Sequence, residues 1–351
     1  MFSTRFTVLI VLLAIVAVTL VHSRNIQYEF DDASAEAFRY PQWAEMPHKR
    51  VPSAGDMMVR FANHIFELVA FYGMARTLQR IPTIYITSKR GAQRLEYVEQ
   101  VMPGLIMKFK VEFDTIPRQA ENLEFGANCC QYYNIDGYLG RSIPVLRLTG
   151  KYHQSFKYFE KYKDEILNFV AGPKQFKTLP MSSSSNFISC IHVRRADFVS
   201  PNRHSTDFTR AAWKAFTRAA WKAIRQHSAA REYLTVATHF ILMVTVEALE
   251  SHVSNSAKPA PLNTTIWISG NSPTDDLIYS RYNCDSLLIT APSSTFGWWL
   301  GYISKGQTVY YMDIQQTNDE VYKTGEMIVD DFFPSRWFKM QYNNGEIVIR
   351  I

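Results

Sequence analysis

His192, Arg194, Arg195 and Asp197 stand at a spacing that can do chemistry, inside the string NFISCIHVRRAD that runs from Asn186 to Asp197. Two guanidiniums offer forked, permanently charged donors matched to phosphate oxygens, and a nearby carboxylate can hold one fork in position. A diphosphate is the ligand that such a set suits. An Arg-Arg pair alone also fits an ordinary solvated surface, so its placement matters. Phe187, Ile188, Cys190, Ile191 and Val193 predict a short, largely buried strand. The arginines then follow at its carboxyl end, where α/β sheets place their ligands.

A second group lies at Ser293-Ser294-Thr295-Phe296-Gly297-Trp298-Trp299, ahead of an apolar stretch ending at Lys305-Gly306. Hydroxyl residues at a helix start cap it, and the free amides and positive dipole end there favour an anion. Capping alone would account for the hydroxyls. Asp276-Leu277 and Cys284-Asp285 stand upstream of this run.

The first pattern resembles the donor motif of the α-1,2-fucosyltransferases, glycosyltransferase family 11, usually His-Val-Arg-Arg-Gly-Asp, with Ala196 here in place of the glycine. The second resembles the family's Ser-Thr-Phe-x-Trp-Trp signature together with its Asp-Leu and Cys-Asp pairs. Gln154, Ser155, Tyr158 and Phe159 match its Gln-Ser-x-x-Tyr-Phe element, and Asn63 matches the asparagine of its amino-terminal Gly-Asn helix, where Phe61-Ala62 replaces the glycine-containing approach. The resemblance implies an α/β protein of GT-B type, two Rossmann-like domains facing a cleft, preceded by a membrane anchor and stem. It implies transfer of L-fucose from GDP-fucose to the 2-hydroxyl of a terminal galactoside on a glycan. In this reading His192, Arg194, Arg195, Ser294, Thr295 and Phe296 bind the donor, Asp276 accepts from the guanine, and Asn63 and Gln154 line the acceptor side. Arg194 also assists departure of GDP. Asp197 is the first choice for general base or else an arginine brace, with Glu67 and His153 behind it. No Asp-x-Asp motif follows a strand, so no metal and no other cofactor is expected. A non-catalytic nucleotide or sugar binder and a protein O-fucosyltransferase are the alternatives.

These residues need elements to hold them. Met57 to Arg80 is apolar around most of its circumference and stops before Pro82, which predicts a buried helix. Strands are expected at Thr83–Thr87, Phe240–Val246, Thr264–Ser269, Ser286–Ala291 and Gln307–Met312, alternating with helices as in parallel sheets. Tyr152, Phe156 and Phe159 sit at helical spacing and read as a packed stripe. The expected organisation is a tail and signal anchor over residues 1–24, a stem over 25–50, an acceptor-side domain over 51–180 and a donor domain over 181–351. An identical octapeptide, FTRAAWKA, occurs twice in tandem at 208–223 within an expected helix. FILMVTVEALE brings Val244-Thr245 to a place where many relatives carry polar or acidic residues.

At 351 residues and 47% hydrophobic, the chain has material for two full cores. Its net charge of +6 comes from scattered basic residues that form no tract, which argues against nucleic acid. Residues 7–21 form an uncharged apolar run of roughly 22 Å as a helix, short for a bilayer core of ~30 Å; the family resemblance implies that it is a single-pass type II anchor in the Golgi membrane, with a cleaved signal peptide and secretion as the alternative. Asn263-Thr264-Thr265 is the usable glycosylation sequon. Cys129, Cys130, Cys190 and Cys284 leave three full pairings open, or a free Cys190 thiol, and no Cys or His set has zinc spacing.

Overall fold

The computed structural model describes residues 25–29, 54–86, 89–112, 120–123, 128–149, 152–176, 178–193, 237–244, 264–343 and 346–350. The apolar run at 7–21, Arg194, Arg195, Asp197, the duplication and Asn263 lie outside the described residues. Two compact units divide the chain. One takes Met1–Ser53 and His64–Phe169, the other Ala54–Asn63 and Val170–Ile351. The second unit therefore begins before the boundary expected near residue 180 and also takes a short amino-terminal piece.

The first unit is built on a five-stranded parallel sheet of order β3-β2-β1-β5-β4. Its strands are β1 (Asn25–Glu29), β2 (Ile81–Tyr85), β3 (Lys110–Glu112), β4 (Glu121–Leu123) and β5 (Val145–Leu148). β1 corrects the stem assignment over Asn25–Glu29: Ile26 and Tyr28 alternate with Asn25, Gln27 and Glu29, a two-residue period that the acidic stretch behind it obscured. Helix α1 (Ala54–Thr77) joins β1 to β2 in sequence, and its described side chains from Ile65 to Ala75 are almost all buried, as the all-round apolar pattern requires. Pro82 is not what ends it. Gln79 takes φ +54° and the Arg80 amide donates back to the Ala75 carbonyl at 2.9 Å, a left-handed cap that closes the last turn.

Helices α2 (Lys89–Val101), α3 (Pro103–Ile106) and α4 (Lys163–Phe169) complete this unit. The stripe expected from Tyr152 to Phe159 is not one helix. Tyr152 and His153 have φ of +57° and +44°, and only Phe156–Tyr158 forms a 3-10 turn, capped by the Ser155 hydroxyl on the Lys157 amide. Phe156, Tyr158 and Phe159 are nevertheless buried, so the packing function of the aromatics stands while their geometry differs.

The second unit holds a seven-stranded sheet of order β12-β11-β10-β9-β6-β7-β8. Its members are β6 (Asn186–Val193), β7 (Ala237–Val244), β8 (Thr264–Ile268), β9 (Ser286–Ile289), β10 (Thr308–Met312), β11 (Phe338–Asn343) and β12 (Glu346–Arg350). All neighbours are parallel except the edge pair β11–β12. Helices α5 (Pro273–Asn283), α6 (Thr295–Ile303), α7 (Glu320–Lys323) and α8 (Val329–Phe332) follow β8, β9 and β10 in the chain. α6 is buried along its whole length: Trp298 stacks on Tyr302 with ring centroids 4.8 Å apart and donates its indole N–H to the Phe332 carbonyl at 2.8 Å. Among the described residues no helix is long and apolar enough to cross a membrane.

Candidate functional site

From β6 the sheet is extended through β7 and β8 on one side, and the chain then crosses over to lay β9, β10 and β11 on the other. The order therefore reverses between β6 and β9. In open parallel sheets this reversal leaves a crevice at the carboxyl ends of the two strands, because their connections depart in opposite directions. His192 is near the end of β6, and the segment leaving β9 carries Ser293, Ser294 and Thr295. One residue from each of the two patterns that sequence alone ranked highest, His192 and Ser294, is thus brought to one point.

The local bonding fixes that meeting. The Thr290 amide and hydroxyl both donate to the His192 carbonyl, at 3.3 and 2.8 Å. Ser294 is the N-cap of α6: its hydroxyl accepts from the Gly297 amide at 3.3 Å and lies 3.4 Å from His192 Nε2. The Phe296 ring centroid is 5.9 Å from that of His192. Gly297 is required by this contact, since a β-carbon there would stand 2.5 Å from His192 Nδ1. Ser293 turns away and donates to Asp319 Oδ2 at 2.6 Å, tying the α6 approach to the N-cap of α7. At this end of the sheet lies the amino-terminal end of α6, buried in the structure, whose first amides have no carbonyl partner within the helix, a favourable place for phosphate. Arg194 and Arg195 follow directly on the end of β6.

Beneath the crevice the remaining signature residues are braces. Cys190 is disulfide-bonded to Cys284, which overturns the free-thiol option and joins β6 to the start of the β9 segment. Asp285 accepts from the Ile188 amide at 2.9 Å and from the Ser182 hydroxyl at 2.6 Å, and pairs with Lys305 at 3.0 Å. Ser189 and Ser286 hydroxyls meet at 2.8 Å. The Cys-Asp pair therefore acts by registering two strands and needs no ligand to explain it. Neither Thr290 nor the constraint on Gly297 stood out in the sequence; the only signal for the latter is a glycine inside an otherwise bulky helix.

Asp276 lies apart from this pair of strands, in the first turn of α5 beyond β8. Its Oδ1 accepts from the Ser269 hydroxyl at 2.6 Å and from Asn271 Nδ2 at 3.2 Å. Burial pushes its carboxyl up to about 7, with the two hydrogen bonds opposing. A carboxylate so placed already has local donors, which sets the competition a purine edge would face.

The acceptor-side candidates divide between the units. Asn63, half-buried on α1, belongs to the second; Gln154 belongs to the first. Gln154 is buried, its backbone N–H donates to the Cys129 carbonyl at 2.8 Å, and its Oε1 lies 3.3 Å from Cys130 Sγ, beside the Cys129–Cys130 disulfide. Of the reserve bases, Glu67 is 2% exposed and its Oε2 is 2.9 Å from His64 Nδ1. His153 is equally enclosed and burial lowers it to about 4. Both are core groups of the first unit. No cluster of three or more metal-ligating side chains occurs among the described residues.

The sequence profile described as glycosyl transferase family 11 matches residues 142–340. A Caenorhabditis elegans protein provisionally named as a glycosyltransferase is 41% identical over 296 residues, 83% of this chain and 80% of its own. A galactoside 2-alpha-L-fucosyltransferase of the same species is 33% identical over 326 residues, 84% of this chain and 77% of its own. A third relative is of another kind: FMRFamide-like neuropeptides 24 of Caenorhabditis briggsae is 58% identical over 60 residues, which is 16% of this chain and 91% of that protein.

Proposed function

Because the chain belongs to glycosyltransferase family 11, we propose that it is a fucosyltransferase that moves L-fucose from GDP-fucose to the 2-hydroxyl of a terminal galactoside, with inversion and without a metal. The observation that carries this reading is the convergence of His192 with the capped start of α6 at the β6–β9 reversal. The diphosphate lies against the α6 amides, and Arg194 and Arg195 hold it from the β6 side. As the glycosidic bond to fucose breaks, negative charge builds on the leaving phosphate, where fixed guanidiniums and helix-end dipoles lower the barrier in place of a divalent cation. Asp276 takes the guanine edge by exchanging its local donors for the purine N–H groups. Asn63 and Gln154 serve the acceptor, and Asp197 takes the proton of the attacking hydroxyl, the core positions of Glu67 and His153 leaving them poorly placed for it. Two parallel-sheet units are the parts that a GT-B enzyme requires, with the donor in the carboxyl-terminal one.

Two measurements test this. Titration calorimetry of the full chain with GDP, ADP and UDP should favour GDP, and Arg194→Ala should weaken it by about 1.5–3 kcal/mol, the worth of hydrogen bonds to a charged group. Fucose transfer to a β-galactoside should survive excess chelator. Equal affinity for the three nucleotides refutes the guanine assignment, and manganese-dependent rescue of a chelated enzyme refutes the metal-free mechanism.

A second reading comes from the 60-residue similarity to the neuropeptide protein, which we assign to the amino-terminal section. The chain carries there an apolar run at 7–21, a basic pair at Lys49-Arg50, and Met58-Val59-Arg60-Phe61, which ends in the Arg-Phe of Phe-Met-Arg-Phe. We propose that a peptide-precursor section is joined to the transferase within α1, and that the run is a cleaved secretion signal rather than a Golgi anchor. Both readings put the transferase in the secretory lumen. Amino-terminal sequencing of the product made in a secretory host should show residues 1–21 removed; their retention in a membrane-bound product restores the anchor.

A further inference from the structure

The carboxyl-terminal corner of the second unit holds a cavity of about 560 Å³ that the transfer chemistry leaves unused, within the range of small-ligand pockets, about 300–1,000 Å³. Its floor is a row of side chains across three strands. Tyr311 on β10 is the register partner of Lys339 on β11, and Lys339 that of Arg350 on β12. Directly paired residues project from the same face of a sheet, so hydroxyl, ammonium and guanidinium stand side by side. Gln341, two residues beyond Lys339, shares that face. The facing wall comes from α8 and the segment after it. Phe333 stacks on Tyr311 with ring centroids 4.2 Å apart and planes 10° apart, and Trp337 closes the wall.

One observation marks this as more than a fold in the surface. The polar groups are held in place rather than loose: buried Asp313 accepts from Gln341 Nε2 at 2.7 Å and lies 3.8 Å from Lys339 Nζ. Arg350 and Lys339 supply donors and Asp330 an acceptor, around aromatic walls. Opposed charges among apolar rings suit a ligand that is neutral overall, apolar on its faces and rich in hydroxyls at its rim.

We propose that this cavity is a second carbohydrate-binding site, which holds a neutral hexose of the glycan whose terminal galactose is the acceptor. The site's existence stands on the cavity alone; its connection with the acceptor rests on the fucosyltransferase reading. The probe is lacto-N-neotetraose, a neutral galactose-ended tetrasaccharide, added to full chain labelled with ¹⁵N-tryptophan and saturated with GDP. The indole resonance that disappears in Trp337→Phe should shift on titration. Lys339→Ala and Arg350→Ala, both at solvent-reached positions, should raise the dissociation constant roughly tenfold or more, as for loss of hydrogen bonds to a charged group. Where transfer is measurable, they should raise KM for the tetrasaccharide while kcat stays. A Trp337 resonance indifferent to millimolar saccharide, or variants whose binding equals that of the parent chain, overturns the proposal. Binding is read without turnover, so saccharide binding in a chain that transfers no fucose would fail the transferase reading and keep this one.

Discussion

Gly297→Ala places a single methyl group at the junction on which the donor site depends. The new β-carbon would stand 2.5, 2.9 and 3.0 Å from Nδ1, Cε1 and Cγ of His192, along the flank of the ring. The ring has little room to yield: His192 is fully buried, its strand is paired with β7 and β9, and its carbonyl is held twice by Thr290. Relief to an ordinary contact of about 3.5 Å therefore needs a displacement of about 1 Å by α6. Overpacking of this kind costs about 1–3 kcal/mol. Replacing glycine within a helix returns about 1 kcal/mol, so the net loss of stability is expected at about 0–2 kcal/mol. Binding should suffer more than folding, because the moved element is the one whose amides face the diphosphate. A misplacement of about 1 Å is worth up to about a hundredfold in rate. Denaturant unfolding and GDP calorimetry on the same preparation separate the two. A Gly297→Ala chain that folds, melts as the parent does and binds GDP unchanged would refute the claim that the α6–His192 contact shapes a donor site.

Three further outcomes are expected. The Cys190–Cys284 bond closes a loop of 94 residues in sequence separation, so the Cys190→Ser, Cys284→Ser double variant should lose about 4–5 kcal/mol on the chain-entropy estimate; a change below about 1 kcal/mol in urea unfolding would mean the pairing does not form. Asp276, raised to about 7 by burial, binds its proton more tightly folded than unfolded, so its contribution is fullest in acid and is lost as pH rises from about 4 to about 7, by up to roughly 3–4 kcal/mol. Asp276→Asn should flatten that part of the stability profile, and parallel profiles for the two proteins would show that the carboxyl is not so perturbed. Asn263→Gln should abolish the mass loss on glycosidase treatment of the product from a secretory host, whereas a chain unglycosylated from the outset refutes its lumenal passage.

Local chemistry was the legible part. An apolar octad ending in charge is a parallel strand, and Ser294 ahead of an apolar run is a cap; both appear as the residues predict. Roles that depend on distant partners were not legible. Nothing in the spacing of Cys284-Asp285 says that the cysteine finds Cys190 or that the carboxylate holds the Ile188 amide, because register between β6 and β9 is decided by the whole sheet. Asp276 likewise has hydrogen-bond donors, Ser269 and Asn271, that only the turn after β8 supplies. Tyr152 and Phe156 share a helical spacing without sharing a helix, since two consecutive left-handed residues intervene between the disulfide and the Ser155 cap.

The position of β1 bears on how the two halves of the chain can be separated. Asn25–Glu29 lies in the middle of its sheet, with β2 on one flank and β5 on the other. Removing everything ahead of α1 would leave two strand pairs, β3-β2 and β5-β4, with a slot between them, and isolated pairs are marginal in water. If the proposed peptide is cut out near Lys49-Arg50, its release and the survival of a working transferase are therefore competing fates of one polypeptide, unless the severed strand stays clasped in its slot.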